Sequence, residues 1–78
     1  MNVKIIKPDS ILYDGAAKLL QLPGTGGLFE LLENHAPIIS SLAAGKIRLQ
    51  AEGEEEKIFE IKAGVVKGQK NDILILVQ

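Results

Sequence analysis

The chain has 78 residues, nine basic against ten acidic, with one histidine and no cysteine. A net charge of −1 gives no attraction to a phosphate backbone or an anionic bilayer, so neither nucleic acid nor lipid insertion is expected. Disulfides and thiolate metal sites are excluded, and the length leaves room for one domain, 1–78, whose apolar burial barely offsets chain ordering at roughly 1.5 kcal/mol per residue.

Val3 to Ile6 is rich in β-branched residues and reads as a first strand, ended by Pro8, which has no amide hydrogen for a ladder. Pro8-Asp9-Ser10 makes a turn, Ile11 to Tyr13 a short strand, and Asp14-Gly15 a tight hairpin turn. From Ala16 to Leu22 the alternation is poor, which predicts a strand buried on both faces at one end. Pro23 to Gly27 (PGTGG) reads as a bend before Leu28. It has neither the spacing of a dinucleotide fingerprint nor the Gly-Lys-Ser/Thr of a P-loop, so no nucleotide is expected there.

Leu28 to Glu33 has helix-forming composition but too few residues for a helix, and reads as a short strand entering a turn. Pro37 forces Ala36 into an extended conformation, and Ile38 to Leu42 follows as a strand. After Ala43-Ala44-Gly45, the run Lys46 to Gln50 alternates, with Ile47 and Leu49 inward. Ala51 to Glu56 is an acidic hairpin tip, and Lys57 to Lys62 a strand with Phe59 and Ile61 on one side. Ala63-Gly64 marks a bulge or corner. Val65 and Val66 continue the chain, Gly68 to Asp72 forms the last loop, and Ile73 to Val77, apolar at every position, reads as a central strand covered on both faces.

Eight to ten short strands with turn chemistry between them, and no helix, predict an all-β fold: a small two-sheet β-sandwich or flattened barrel. The longest apolar run, Ile73 to Val77, is far below the roughly 20 residues of a membrane-spanning helix. The opening MNVKIIK lacks the apolar core of a secretion signal, which fits a cytoplasmic protein.

Candidate chemistry is thin. His35 is the one side chain that ordinarily titrates near neutrality. Its conceivable nucleophilic partners, Ser40 and Ser41 with Asp14 or Asp72, form no motif, and a lone histidine has no ligand spacing for a metal. No catalytic, metal or cofactor site is expected. A mixed patch of Leu28, Phe29, Ile38 and Ile39 beside Asn34, His35 and Ser40 points to an interaction protein instead.

The ordered set Leu22-Pro23-Gly24, Gly27, Phe29, Asn34-His35-Ala36-Pro37, Leu42, Gly45 and Arg48 resembles the N-terminal β-sandwich domain of the epsilon subunit of F-type ATP synthases, called delta in mitochondria. The opening KIIKPDSILYDG, the corner Ala63-Gly64-Val65-Val66 and the closing NDILILV are similar to the family's as well, so the likeness spans nearly the whole chain. The resemblance implies a non-catalytic subunit of the rotor's central stalk. It would join the gamma subunit to the membrane c-ring, coupling proton flow to ATP synthesis from the cytoplasmic face of the energy-coupling membrane.

By the same resemblance Lys7, His35, Ser40 and Lys62 would face gamma, with His35 alone a matching identity. Gly27, Leu28, Phe29 and Glu30 would form the tip facing the ring. Two positions depart from the family: its glutamate after the glycine is Leu28 here, and its later glycine is Glu30. Longer relatives continue past this point into two helices that restrain hydrolysis and in some cases bind ATP. Residues 1–78 are expected to do neither. The competing readings are an unrelated β-sandwich adaptor and, third, a small hydrolase using His35. Marginal stability in isolation, and a gain on complex formation, are expected of so small a core.

Overall fold

Turn residues recur so often along this chain that no element exceeds seven residues. The structure, a computed structural model, describes residues 1–78 as nine strands and no helix. They are β1 (Asn2–Lys7), β2 (Ser10–Ala16), β3 (Leu19–Gly24), β4 (Gly27–Leu32), β5 (Ile38–Leu42), β6 (Gly45–Gln50), β7 (Lys57–Ile61), β8 (Gly64–Gln69) and β9 (Asp72–Val77). The all-β expectation and its strand count are borne out.

The strands form one curled sheet in the order β2-β1-β9-β8-β5-β3-β6-β7, with β4 on the far side of β3. All neighbours are antiparallel except β1 and β9, which run parallel with Val3 opposite Ile73 and Ile5 opposite Ile75. The sheet folds over at one place, where β3 meets β5 through the single pair Gly24 and Leu42. This gives two facing halves, β2-β1-β9-β8-β5 and β4-β3-β6-β7, as a flattened barrel requires. The outermost strands, β2 and β7, approach through the rings of Tyr13 and Phe59, edge to face with centroids 6.2 Å apart.

Period-two patterning decides what lies between the halves. Val3 and Ile5 of β1, Ile73, Ile75 and Val77 of β9, Val66 of β8 and Leu42 of β5 face Leu20 and Leu22 of β3, Leu31 of β4, Ile47 and Leu49 of β6 and Ile61 of β7. No polar or charged residue is buried with them. Ile47 and Leu49 are fully enclosed, as their alternation with Lys46, Arg48 and Gln50 predicts.

Four local expectations need correction. Asp14-Gly15 is not a turn: both lie within β2, opposite Lys4 and Val3, where Asp14 Oδ2 sits 3.9 Å from Lys4 Nζ. The irregularity of β2 is instead a bulge at Leu12, between the pairs Ile5–Tyr13 and Ile6–Ile11. The bend at PGTGG is only two residues long, Thr25-Gly26, because Pro23 and Gly24 pair with Leu28 and Gly27. Pro23 is tolerated inside β3 because its nitrogen faces away from β4, beyond the last pair with β6, while its carbonyl accepts from the Ala43 amide at 2.7 Å.

The last hairpin loop is likewise only Lys70-Asn71, with Lys70 at φ 55°, and Gly68 lies inside β8. Finally, β9 is central but covered on one face only: Leu74 and Leu76 are exposed. Its unbroken apolar composition reflects burial inward and an apolar surface outward.

Candidate interaction surface

The strand register that buries Val3, Ile5, Ile73 and Ile75 sends their neighbours to the outside in rows. One row joins Ile11, Ile6, Leu76, Val65 and Ser41 across β2, β1, β9, β8 and β5; the next joins Asp14, Lys4, Leu74, Lys67 and Ile39. Ile39 is 75% exposed, Ile11 60%, Leu76 50% and Val65 46%, so five adjacent strands share an apolar outer stripe. Lys67 and the Lys4–Asp14 pair interrupt it with charge. A depression of about 500 Å³ opens at one end, lined by Ile6, Lys7, Pro8, Ala63, Gly64, Val65, Leu76, Val77 and Gln78.

The two ends of the fold carry different expected site residues. Lys7 and Lys62 are exposed at the end where the Lys62 amide donates to the Gln78 carbonyl at 2.9 Å. His35 lies at the opposite end, in the turn after β4. There Asn34 takes φ 64° and its amide donates to Asn71 Oδ1 at 3.1 Å, tying this turn to the β8–β9 turn. Ser40 lies between, half-buried on the inner side of β5 opposite Val66, its hydroxyl donating to the Ser41 carbonyl at 3.2 Å. The four expected partner-facing residues therefore do not form one cluster.

His35 is held by local geometry. Nδ1 is 2.9 Å from the Ala36 carbonyl, which can only accept, so Nδ1 is the donor in this contact. Nε2 is enclosed with no hydrogen-bond partner. The ring rests against Gly68, where an added Cβ would lie 2.9 Å from His35 Cε1 and 3.0 Å from Ile38 Cγ2. Gly68→Ala is therefore expected to cost about 1–2 kcal/mol by overpacking, and His35→Ala in the same chain to restore part of it, the approach to Ile38 remaining. Thermal melts of the four-member cycle check this.

A serine hydrolase would need the imidazole hydrogen-bonded to a nucleophile and to an orienting carboxylate. Here the histidine bonds a main-chain carbonyl, the Ser40 hydroxyl bonds another, and Asp14 sits beside Lys4 on the outer face of the far strand pair. His35 lines none of the three surface depressions. The hydrolase reading has no geometric support.

At the β3–β4 hairpin, Leu28, Glu30 and Leu32 face outward while Phe29 and Leu31 turn toward the core. Phe29 packs over Gly24, where a Cβ would meet the ring at 2.7 Å. The two-residue spacing thus places the carboxylate of Glu30 on the same face as Leu28. Elsewhere Tyr13 donates to the Ala16 carbonyl at 2.6 Å. Burial, and secondarily the Glu54 carboxylate, raise its pKa above the ordinary value of 10.0, which keeps that donor protonated.

The outward face of β9 is what sequence reasoning missed. With all of Ile73 to Val77 apolar, β9 alone carries no signal of which face is open. The signal lay in the neighbouring β1 and β8, where Lys4 and Lys67 mark the exposed parity.

The chain forms a β shell with an apolar interior and an apolar outer stripe. Its sequence matches the family model for the ATP synthase delta/epsilon chain, β-sandwich domain, over residues 1–78, and the chain belongs to that family. It is 36% identical over 76 residues to the ATP synthase epsilon chain of Leptospira borgpetersenii serovar Hardjo-bovis, covering 97% of this chain and 59% of that one. To the epsilon chain of Chlorobium limicola it is 30% identical over 77 residues, covering 99% and 88%. The chain thus spans about three-fifths of the Leptospira relative's length.

Among solved structures it superposes on a chain of the Euglena gracilis mitochondrial ATP synthase with TM-score 0.89 at 16% identity, covering 96% of this chain and 48% of that one. A chain of the Tetrahymena thermophila mitochondrial ATP synthase central stalk and c-ring gives 0.83 at 14%, covering 99% and 62%. These two likenesses are of fold. The unrelated-adaptor alternative is overturned by the family match.

Proposed function

We propose that this chain is a non-catalytic rotor element of an ATP synthase, docking on the gamma subunit and on the polar loops of the c-ring, and so coupling proton flow to ATP synthesis. It acts peripherally, on the cytoplasmic face of the coupling membrane, and no helix in it is long and apolar enough to cross one. The observation that carries the reading is the outer stripe of Ile11, Ile6, Leu76, Val65, Leu74 and Ile39. An apolar centre with charged neighbours is the anatomy of a protein interface. Family membership and the central-stalk setting of the Tetrahymena neighbour support the choice of partners.

In this reading gamma covers the stripe, with Lys7 and Lys62 at one end of the contact and His35 at the other, while Ser40, on the inner side of β5, stands outside it. The hairpin residues Gly27, Leu28, Phe29 and Glu30 meet the ring, Leu28 and Glu30 directly and Phe29 by bracing Gly24. Glu30 supplies the carboxylate that the family carries two residues earlier. Ring binding that survives Glu30→Ala but not Leu28→Ala would remove that assignment.

Titration with the gamma subunit of the same organism tests the main proposal. Ile39→Glu, opposite Lys67, with Leu76→Glu is expected to weaken binding at least about tenfold, since two carboxylates would be desolvated, while the melting temperature of the free chain changes little. Undiminished binding by this variant would overturn the docking face.

A further inference from the structure

We propose that the free edge of β4 is a strand-addition site for an extended segment carrying one basic residue between two apolar ones at two-residue spacing. This rests on the reading of the β3–β4 hairpin as a docking element, and specifies how that element is gripped: through its backbone. The pairing of Gly24 with Gly27 closes a two-residue turn, so Gly27, Phe29 and Leu31 exchange hydrogen bonds with β3. Leu28, Glu30 and Leu32 consequently turn their amides and carbonyls the other way.

β4 pairs with no strand but β3, and none of the backbone bonds outside the ladders involves these three residues. Six main-chain groups in a row are therefore open, beside two leucines that are 69% and 54% exposed. The other outer strands are blunted: β2 carries the Leu12 bulge, and β2 and β7 face each other through Tyr13 and Phe59.

Charge selects the occupant. A second copy adding antiparallel to this edge can use all three open positions in one register only, with Leu28 opposite Leu32 of the other copy and Glu30 opposite Glu30. Like charges directly opposite destabilise a pair of strands, so self-pairing is disfavoured where it would be most complete. A lysine or arginine opposite Glu30 reverses the sign, and apolar residues on either side meet Leu28 and Leu32. Glu30 is free for this: it makes no ion pair, and Arg48, which follows in the same cross-strand row beyond Gln21, is already held by Glu56 at 2.8 Å.

The probe is the peptide acetyl-Thr-Val-Thr-Lys-Thr-Val-Thr-amide, with a Glu-centred peptide as its counterpart, added to the 78-residue chain while amide exchange is followed residue by residue. Slowed exchange at Leu28, Glu30 and Leu32, with Phe29 and Leu31 unchanged, is the expected pattern. The Lys peptide should bind about fivefold or more tightly than the Glu peptide, and Glu30→Gln should erase most of that preference. Absence of binding, equal binding of the two peptides, or protection without the alternation would overturn the proposal. Should the c-ring still bind while the peptide fails, strand addition is wrong and docking at the hairpin stands. Loss of ring binding with the peptide pattern intact removes the ring as partner and leaves the edge site.

Discussion

Ile75→Ala is expected to cost about 2–5 kcal/mol of folding stability, while Leu76→Ala, one residue further on, costs less than about 1 kcal/mol. Ile75 is fully enclosed at the centre of β9, between β1 and β8, and truncation leaves a cavity against Val66 and Ile5. Leu76 is 50% exposed and loses little when shortened. A chain of this size has on the order of 4–12 kcal/mol in total, so the first change brings the domain close to unfolding at ambient temperature. Urea unfolding of both variants checks this, and similar midpoints would mean that the two faces of β9 have been assigned wrongly.

Gly64→Ala should be nearly as damaging, at about 3 kcal/mol, for a different reason. An added Cβ would lie 2.7 Å from the Leu76 carbonyl oxygen and 3.1 Å from Val77 Cγ1. The near atom is backbone, so relief requires parting β8 from β9 at the row where Gly64 also pairs with Leu42. Gly26→Ala is the control: nothing lies within 4 Å of its Cβ, and it should be neutral or slightly stabilising. Equal melting temperatures for the two variants would sink this account of the corner.

Most of the fold was legible because local chemistry and global patterning agree in it. Lys46 to Gln50 alternates cleanly, Pro8 and Pro37 bound their strands, and each apolar run is too short for a helix. Errors arose where a residue's local preference was overridden by its neighbour across the sheet. Asp14-Gly15 has turn chemistry, but Asp14 is used beside Lys4 on the parallel-paired strand β1. Gly68 looked like loop because nothing local shows that its missing side chain makes room for the His35 ring.

The site was less legible than the fold. Composition excluded classes of function, and the ordered glycine, histidine and proline motifs led to the family that the family match then showed. The apolar outer stripe was invisible because it is assembled from five strands distant in sequence. Ile11 and Ile39 reach it by register alone. Glu30, by contrast, could be placed on the face of Leu28 from spacing, and the structure puts it there.

Those two facets, an inert interior and an adhesive exterior, make the account testable in one spectrum. With isoleucine, leucine and valine methyls labelled, addition of the gamma subunit should shift or broaden the resonances of Ile6, Ile39, Val65 and Leu76. Those of Ile5, Val66 and Ile75, one residue away on the inner face of β1, β8 and β9, should stay in place. Perturbation of the inner set alone, or of neither, would contradict a scaffold that works through its outer sheet.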